Sequence, residues 1–164
     1  MRYMPVFKLK RTSTDPSDAI IVTFAGRWLD AIHNHEIVSV FRKMGPTDFT
    51  PRVVYLYVAA PTSAIVARSR LRDYAHMAVS DALKVCKSGR LSEAELRDYA
   101  GSYKELIVMR LGDIEIAQHP ISLKELADDF DYWPSSTFIP LSGTGVETLD
   151  RVGRFLPAKR KCVK

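Results

Sequence analysis

Cysteine is scarce in this chain, with Cys86 and Cys162 the two examples among 164 residues. Two cysteines cannot build a disulfide framework or a cysteine-based zinc site, so two reduced thiols are expected. Long apolar runs are missing too. None approaches the ~18–20 residues that a membrane-spanning helix needs, so no membrane partner is expected. Residues 1–10 lack the apolar stretch of a secretory leader, which points to a cytoplasmic location. Several motifs of nucleotide and hydrolase chemistry are absent. There is no Gly-x-Gly-x-x-Gly and no Gly-x-Ser-x-Gly. Ser142-Gly-Thr-Gly145 lacks the Gly-Lys-Ser/Thr ending of a phosphate loop and reads as a helix cap. His33-Asn34-His35 sets two histidines at i and i+2, a poor spacing for metal ligation from a helix. Asp128, Asp129 and Asp131 read as a solvated helix end. No metal and no cofactor is therefore expected, a divalent cation entering only if the protein is a nuclease.

What is present describes one globular domain. Hydrophobic residues make up 46% and charged residues 26%, too apolar for a disordered chain. The net charge is +5, which favours an anionic partner. That charge is unevenly spread. Residues 76–150 carry thirteen acids against seven bases, whereas residues 151–164 carry six bases and no acid. The basic first half and tail can turn a polyanion toward one side of the molecule. The divisions expected are an arm and loop at 1–18, a main domain at 19–155 and a basic tail at 156–164, with a monomer favoured.

Residues 19–24, 36–43, 52–58 and 64–72 are rich in β-branched and aromatic residues and predict strands. A helix is expected over 26–34 on the face shared by Trp28, Leu29 and Ile32. The middle turns helical over 79–87. Ser92 with Glu95, Ser122 with Glu125, and Thr144 with Glu147 each have the spacing of a capping box. Residues 104–110 and 113–118 read as two strands around a Leu111-Gly112 turn. The fold class expected is α+β: a small barrel of five to six mostly antiparallel strands with inserted and flanking helices.

Arg68, Arg70 and Arg72 are spaced by two, so a strand sets them on one face about 6.5–7 Å apart per step. Such a ladder suits the phosphates of an extended single strand, and it equally suits a solvated strand face. Tyr55 and Tyr57 also share a face and supply aromatic surface for base stacking. Arg27 and Trp28 open the first helix behind Gly26, where free backbone N–H groups can meet an anion. Arg42 and Lys43 end the second strand toward the same mouth. For an enzyme, the candidates are Lys43 for charge stabilisation, Tyr55 or His35 as proton carriers, and Ser136 or Thr137 as hydroxyls.

Together these pieces resemble the ASCH domain family, a branch of the PUA-like barrels. The resemblance runs from about Ile20 to Leu141. It rests on Arg52-Val-Val-Tyr-Leu-Tyr-Val-Ala-Ala-Pro61 leading into Ile65-Val-Ala-Arg68, and on His119-Pro-Ile-Ser-Leu-Lys-Glu-Leu126 followed by Pro134-Ser-Ser-Thr-Phe138. It implies binding of RNA or another single-stranded nucleic acid, and a cleft between the first helix and the barrel. The alternatives on the same scaffold are a ribonuclease or a hydrolase of a modified nucleoside. A protein-interaction module is the reading from another class. The family signature Gly-x-Lys-x-x-Glu-x-Arg is not kept. Anchored on Arg42, its lysine falls on Ile37 and its glutamate on Val40; shifted by one, they fall on Glu36 and Ser39. Members that hydrolyse acetylated cytidine use that lysine, a threonine and a strand glutamate whose counterpart here is Arg68. Ribonuclease chemistry is thus expected ahead of amidohydrolase chemistry, if there is catalysis at all.

Overall fold

Apolar segments buried on both faces build one curled sheet, in a computed structural model that describes residues 9–130, 133 and 138–157. Strand β1 spans Pro16–Phe24 and leads through a 3₁₀ turn at Gly26–Trp28 into the short helix α1, Leu29–His33. Strands β2 (Ser39–Arg42), β3 (Val53–Val58) and β4 (Ala64–Ala78) follow. Helix α2 (Val79–Lys84), a 3₁₀ turn at Cys86–Gly89 and helix α3 (Glu93–Ala100) form an insertion before β5, Glu105–Ser122. The described chain ends with α4 (Leu123–Phe130), β6 (Phe138–Ser142), α5 (Gly143–Gly153) and β7 (Phe155–Pro157).

The fold is α+β, as expected, with a seven-stranded sheet in the order β2-β5-β4-β3-β1-β6 and β7 paired to β5. The β1–β3 pairing is parallel, and the other pairings among the described residues are antiparallel. The sheet is larger than anticipated because β6 and β7 join it. The ladder does not return from β6 to β2, so hydrogen bonding leaves the barrel open. The expected Leu111-Gly112 turn is absent: β5 runs straight through. Gly112 earns its place differently, since a Cβ there would lie 2.9 Å from the Arg70 carbonyl oxygen. The β4–β5 register shifts between Ile65 and Ala67 and again on either side of Leu71. Such bulges bend strands, and these two long strands carry the curl of the sheet.

Three apolar clusters follow from that curl. Val22, Val54, Leu56, Val66 and Met109 fill the space within the sheet, together with Ile32, Ile37 and Val40. The opposite face packs Ile21, Tyr55, Tyr57 and Ile65 against Leu126 and Phe130 of α4 and Leu149 of α5. The insertion seats Leu83, Cys86 and Leu96 on Phe41, Leu106 and Val108. Two of the three expected capping boxes form. Ser92 accepts from the Glu95 amide and Glu95 accepts from the Ser92 amide; Ser122 and Glu125 do the same. The third does not. Ser142 caps α5 by accepting from the Gly145 amide, while the amide and hydroxyl of Thr144 donate to Asp15. No helix among the described residues is long and apolar enough to cross a membrane.

Candidate functional site

Among the described residues, the ladder between β1 and β6 ends at Val22 paired with Phe138. Beyond it β1 continues through Thr23 and Phe24. Curling of the sheet returns β2, the far edge strand, to this margin. Arg42 closes the gap with its side chain: Nη2 donates to the Thr23 carbonyl at 2.8 Å and Nη1 to its neighbour Phe41 at 2.9 Å. A cavity of about 490 Å³ lies at this seam, a volume typical of small-molecule sites. Its wall draws on Thr23 and Phe24 of β1, Trp28 of the 3₁₀ turn, Ser39 and Arg42 of β2, and Asp98 and Tyr99 of α3. Two glycines permit this approach of elements. A Cβ on Gly26 would meet the Ala60 carbonyl oxygen at 2.6 Å, and one on Gly89 would meet the Phe41 ring at 2.8 Å.

The electrostatics of the cavity are mixed. Arg42 sits 4.9 Å above the Phe24 ring. Burial pushes its pKa down, yet a guanidinium starts so high that it stays charged at working pH. No carboxylate pairs with it among the described residues, and the rest of its N–H donors have no hydrogen-bond partner there. Arg27 and Glu95 span the mouth with an ion pair at 2.8 Å, and the Arg27 guanidinium stacks 4.4 Å from the Trp28 ring. The Arg27 bond, with help from the Ser92 amide, holds the Glu95 carboxyl below its usual range. Asp98 contributes a second carboxylate with no ion-pair partner among the described residues. The cavity thus offers a fixed cation, carboxylate acceptors and aromatic surface, the set that an aromatic heterocycle with donors and acceptors on its edge can use.

Arg27, Trp28 and Arg42 meet in this cavity, and Lys43 lies just beyond it. The remaining candidates lie elsewhere. Tyr55 and Tyr57 are 0% and 2% exposed, so neither ring has a face open to a base. Tyr55 donates to Asp150 at 2.5 Å, which corrects its reading as a proton carrier as well as a stacking platform. Arg68 also leaves the expected ladder. It is clamped to Glu115 through two nitrogens and to Asp150 at 2.7 Å, beneath the Phe155 ring. Arg70 and Arg72 are exposed but do not line the cavity. His35 is exposed at a left-handed position, φ 57°, outside the cavity wall. Ser136 and Thr137 lie outside the described residues, as does Asp131. No cluster of potential metal ligands occurs among the described residues. Sequence reasoning missed Glu95, Asp98 and Tyr99, which reach the seam only because the insertion folds back over β2.

No family model and no curated protein sequence matches this chain. Solved structures do. The architecture is of the PUA-like class, an α+β fold on a curled, mostly antiparallel sheet. Within that class it is the ASCH domain fold. The ASCH protein of Zymomonas mobilis superposes with a TM-score of 0.74 at 17% identity, over 87% of this chain and 97% of that one. The N-terminal domain of McrB from Staphylothermus marinus superposes with a TM-score of 0.57 at 11% identity, over 92% of this chain and all of the other. At these identities the likeness establishes the fold.

Proposed function

We propose that the seam cavity binds one nucleotide of an RNA or other single strand, and that the protein is a nucleic-acid-binding module acting in the cytoplasm as a monomer without a cofactor. The carrying observation is Arg42, a half-buried cation that no carboxylate among the described residues pairs with, set among Phe24, Trp28 and Tyr99. A partly buried charge held by carbonyls alone is incompletely compensated, and an anionic or carbonyl-bearing ligand improves that compensation. The ASCH fold and the positive net charge support the same reading. The test is fluorescence anisotropy with labelled single-stranded RNA at several salt concentrations. The native protein is expected to bind with affinity that falls as salt rises. Arg42→Gln is expected to weaken binding by about tenfold or more, the loss of one charge-assisted contact. Binding unchanged in Arg42→Gln overturns the reading.

Asp98 favours a second reading, a ribonuclease. A carboxylate within the same cavity as a fixed cation is the pair that proton transfer and charge stabilisation require. Incubating RNA with the protein, with and without a divalent cation, and separating the products decides it; Asp98→Asn then has to abolish cleavage.

A further inference from the structure

The wall of the cavity continues outward as a second, more exposed surface. Lys43 follows Arg42 out of β2, and its amide donates to the Tyr99 hydroxyl at 3.0 Å. Its ammonium lies 4.9 Å from the Tyr99 ring centroid and 5.4 Å from that of Tyr103. No carboxylate pairs with Lys43 among the described residues. Tyr99 is therefore shared, facing the cavity and flanking Lys43. Tyr103 does not line the cavity and is 47% exposed, and the neighbouring Met44 is 56% exposed.

We infer that Lys43 and Tyr103 form a second nucleotide subsite next to the cavity, which makes the ligand a single-stranded oligonucleotide rather than a free nucleoside or nucleotide. The inference rests on the reading of the cavity as a nucleotide site. A nucleotide seated there has to pass its backbone outward if it belongs to a strand. Lys43 supplies the next positive charge on the way out, and a lysine is a point charge suited to a phosphate. Tyr103 supplies a ring on which the following base stacks. Base–aromatic stacking of this kind tolerates any base, because every base has a π-face. Holding a lysine between two tyrosines also keeps that charge in place before the ligand arrives, through cation–π attraction.

The experiment compares the four nucleoside 5′-monophosphates with single-stranded RNA hexamers, by tyrosine and tryptophan fluorescence and by competition. The native protein is expected to bind its preferred hexamer at least about tenfold more tightly than any monophosphate. Tyr103→Ala is expected to weaken the hexamer by about five- to one-hundredfold, the range of one base stack. It leaves monophosphate binding unchanged, while Tyr103→Trp retains hexamer binding. Lys43→Gln is expected to lower the hexamer salt slope by about 0.7, one phosphate on a single strand. A hexamer no tighter than a monophosphate overturns the inference, and so does a Tyr103→Ala variant that affects neither ligand or both equally. Those results leave the cavity reading intact. If neither ligand binds, or if Arg42→Gln changes neither, the cavity reading itself falls and takes the second subsite with it. Binding of an acidic peptide through Lys43 in the absence of RNA binding assigns the surface to a protein and likewise overturns the inference.

Discussion

Arg68 and Arg42 are both arginines on strands, and their surroundings separate their roles. Around Arg68, burial lowers the pKa but the bonds to Glu115 and the charge of Asp150 outweigh it, so the net direction is upward. Its charge is spent on acids that tie β5 and α5 to β4. Arg68→Met is expected to lower stability by about 1–2 kcal/mol, less than a fully buried pair because these groups are about a quarter to a third exposed. For a chain of this size that is roughly 2–8 °C in Tm. RNA affinity is expected to stay unchanged, so calorimetry and anisotropy on one variant distinguish the clamp from a phosphate contact. Arg70→Ala and Arg72→Ala give the opposite pattern if these exposed side chains meet phosphates. Each then keeps the native Tm and reduces the salt slope by about 0.7; an unchanged slope makes them a solvated strand face. The shared face of Tyr55 and Tyr57 was legible from the period of a strand. What covers that face was not, because the covering residues Leu126, Leu149 and Phe155 arrive some 70 to 100 positions later in the chain.

Local chemistry decided which elements could be read in advance. The Ser92–Glu95 and Ser122–Glu125 boxes need only residues three apart, and both form. The Thr144–Glu147 pair has the same spacing, yet Asp15, distant in sequence, captures Thr144 and leaves the cap to Ser142. Long-range competition of this kind leaves no mark on a local pattern. The α4 box also predicts a pH dependence. Burial raises the pKa of Glu125, but bonds from His119 and from Ser122 outweigh it and set the carboxyl below its ordinary 4.5. A lowered folded pKa gives stability that is present above the unfolded value and lost as pH falls through the folded one. Native protein and Glu125→Gln are therefore expected to differ in Tm at neutral pH. The gap should close below about pH 4.5 and vanish in stronger acid. A gap that is constant down to pH 2 removes the carboxylate from the account of this helix start.

At the scale of the whole molecule, the site is a consequence of incomplete closure. The curl carries β2 round to β1 without a ladder, so a side chain, Arg42, bridges the seam and the insertion roofs it. The sequence signalled strands and an ASCH-like order, but where the sheet fails to close depends on accumulated bends along β4 and β5. A shared fold does not carry shared chemistry, because reactions belong to the residues placed on it. In this cavity Ile37 is 4% exposed and lines the wall, at a position the ASCH resemblance reserves for a lysine. Glu36, the other candidate for that place, points away and pairs with Arg90 at 3.3 Å. Arg68, the counterpart of the strand glutamate, is held by Glu115 and Asp150 outside the cavity. Arg42 stays protonated and cannot act as a base. Hydrolysis of an acetylated cytidine requires a base within about 2.6–3.2 Å of the attacking proton and an acid for the leaving group. The expected outcome is that N4-acetylcytidine incubated with the protein is recovered intact by chromatography. Deacetylation that Arg42→Gln abolishes contradicts this, and it requires Asp98 or Glu95 to supply the base that Ile37 and Arg42 cannot.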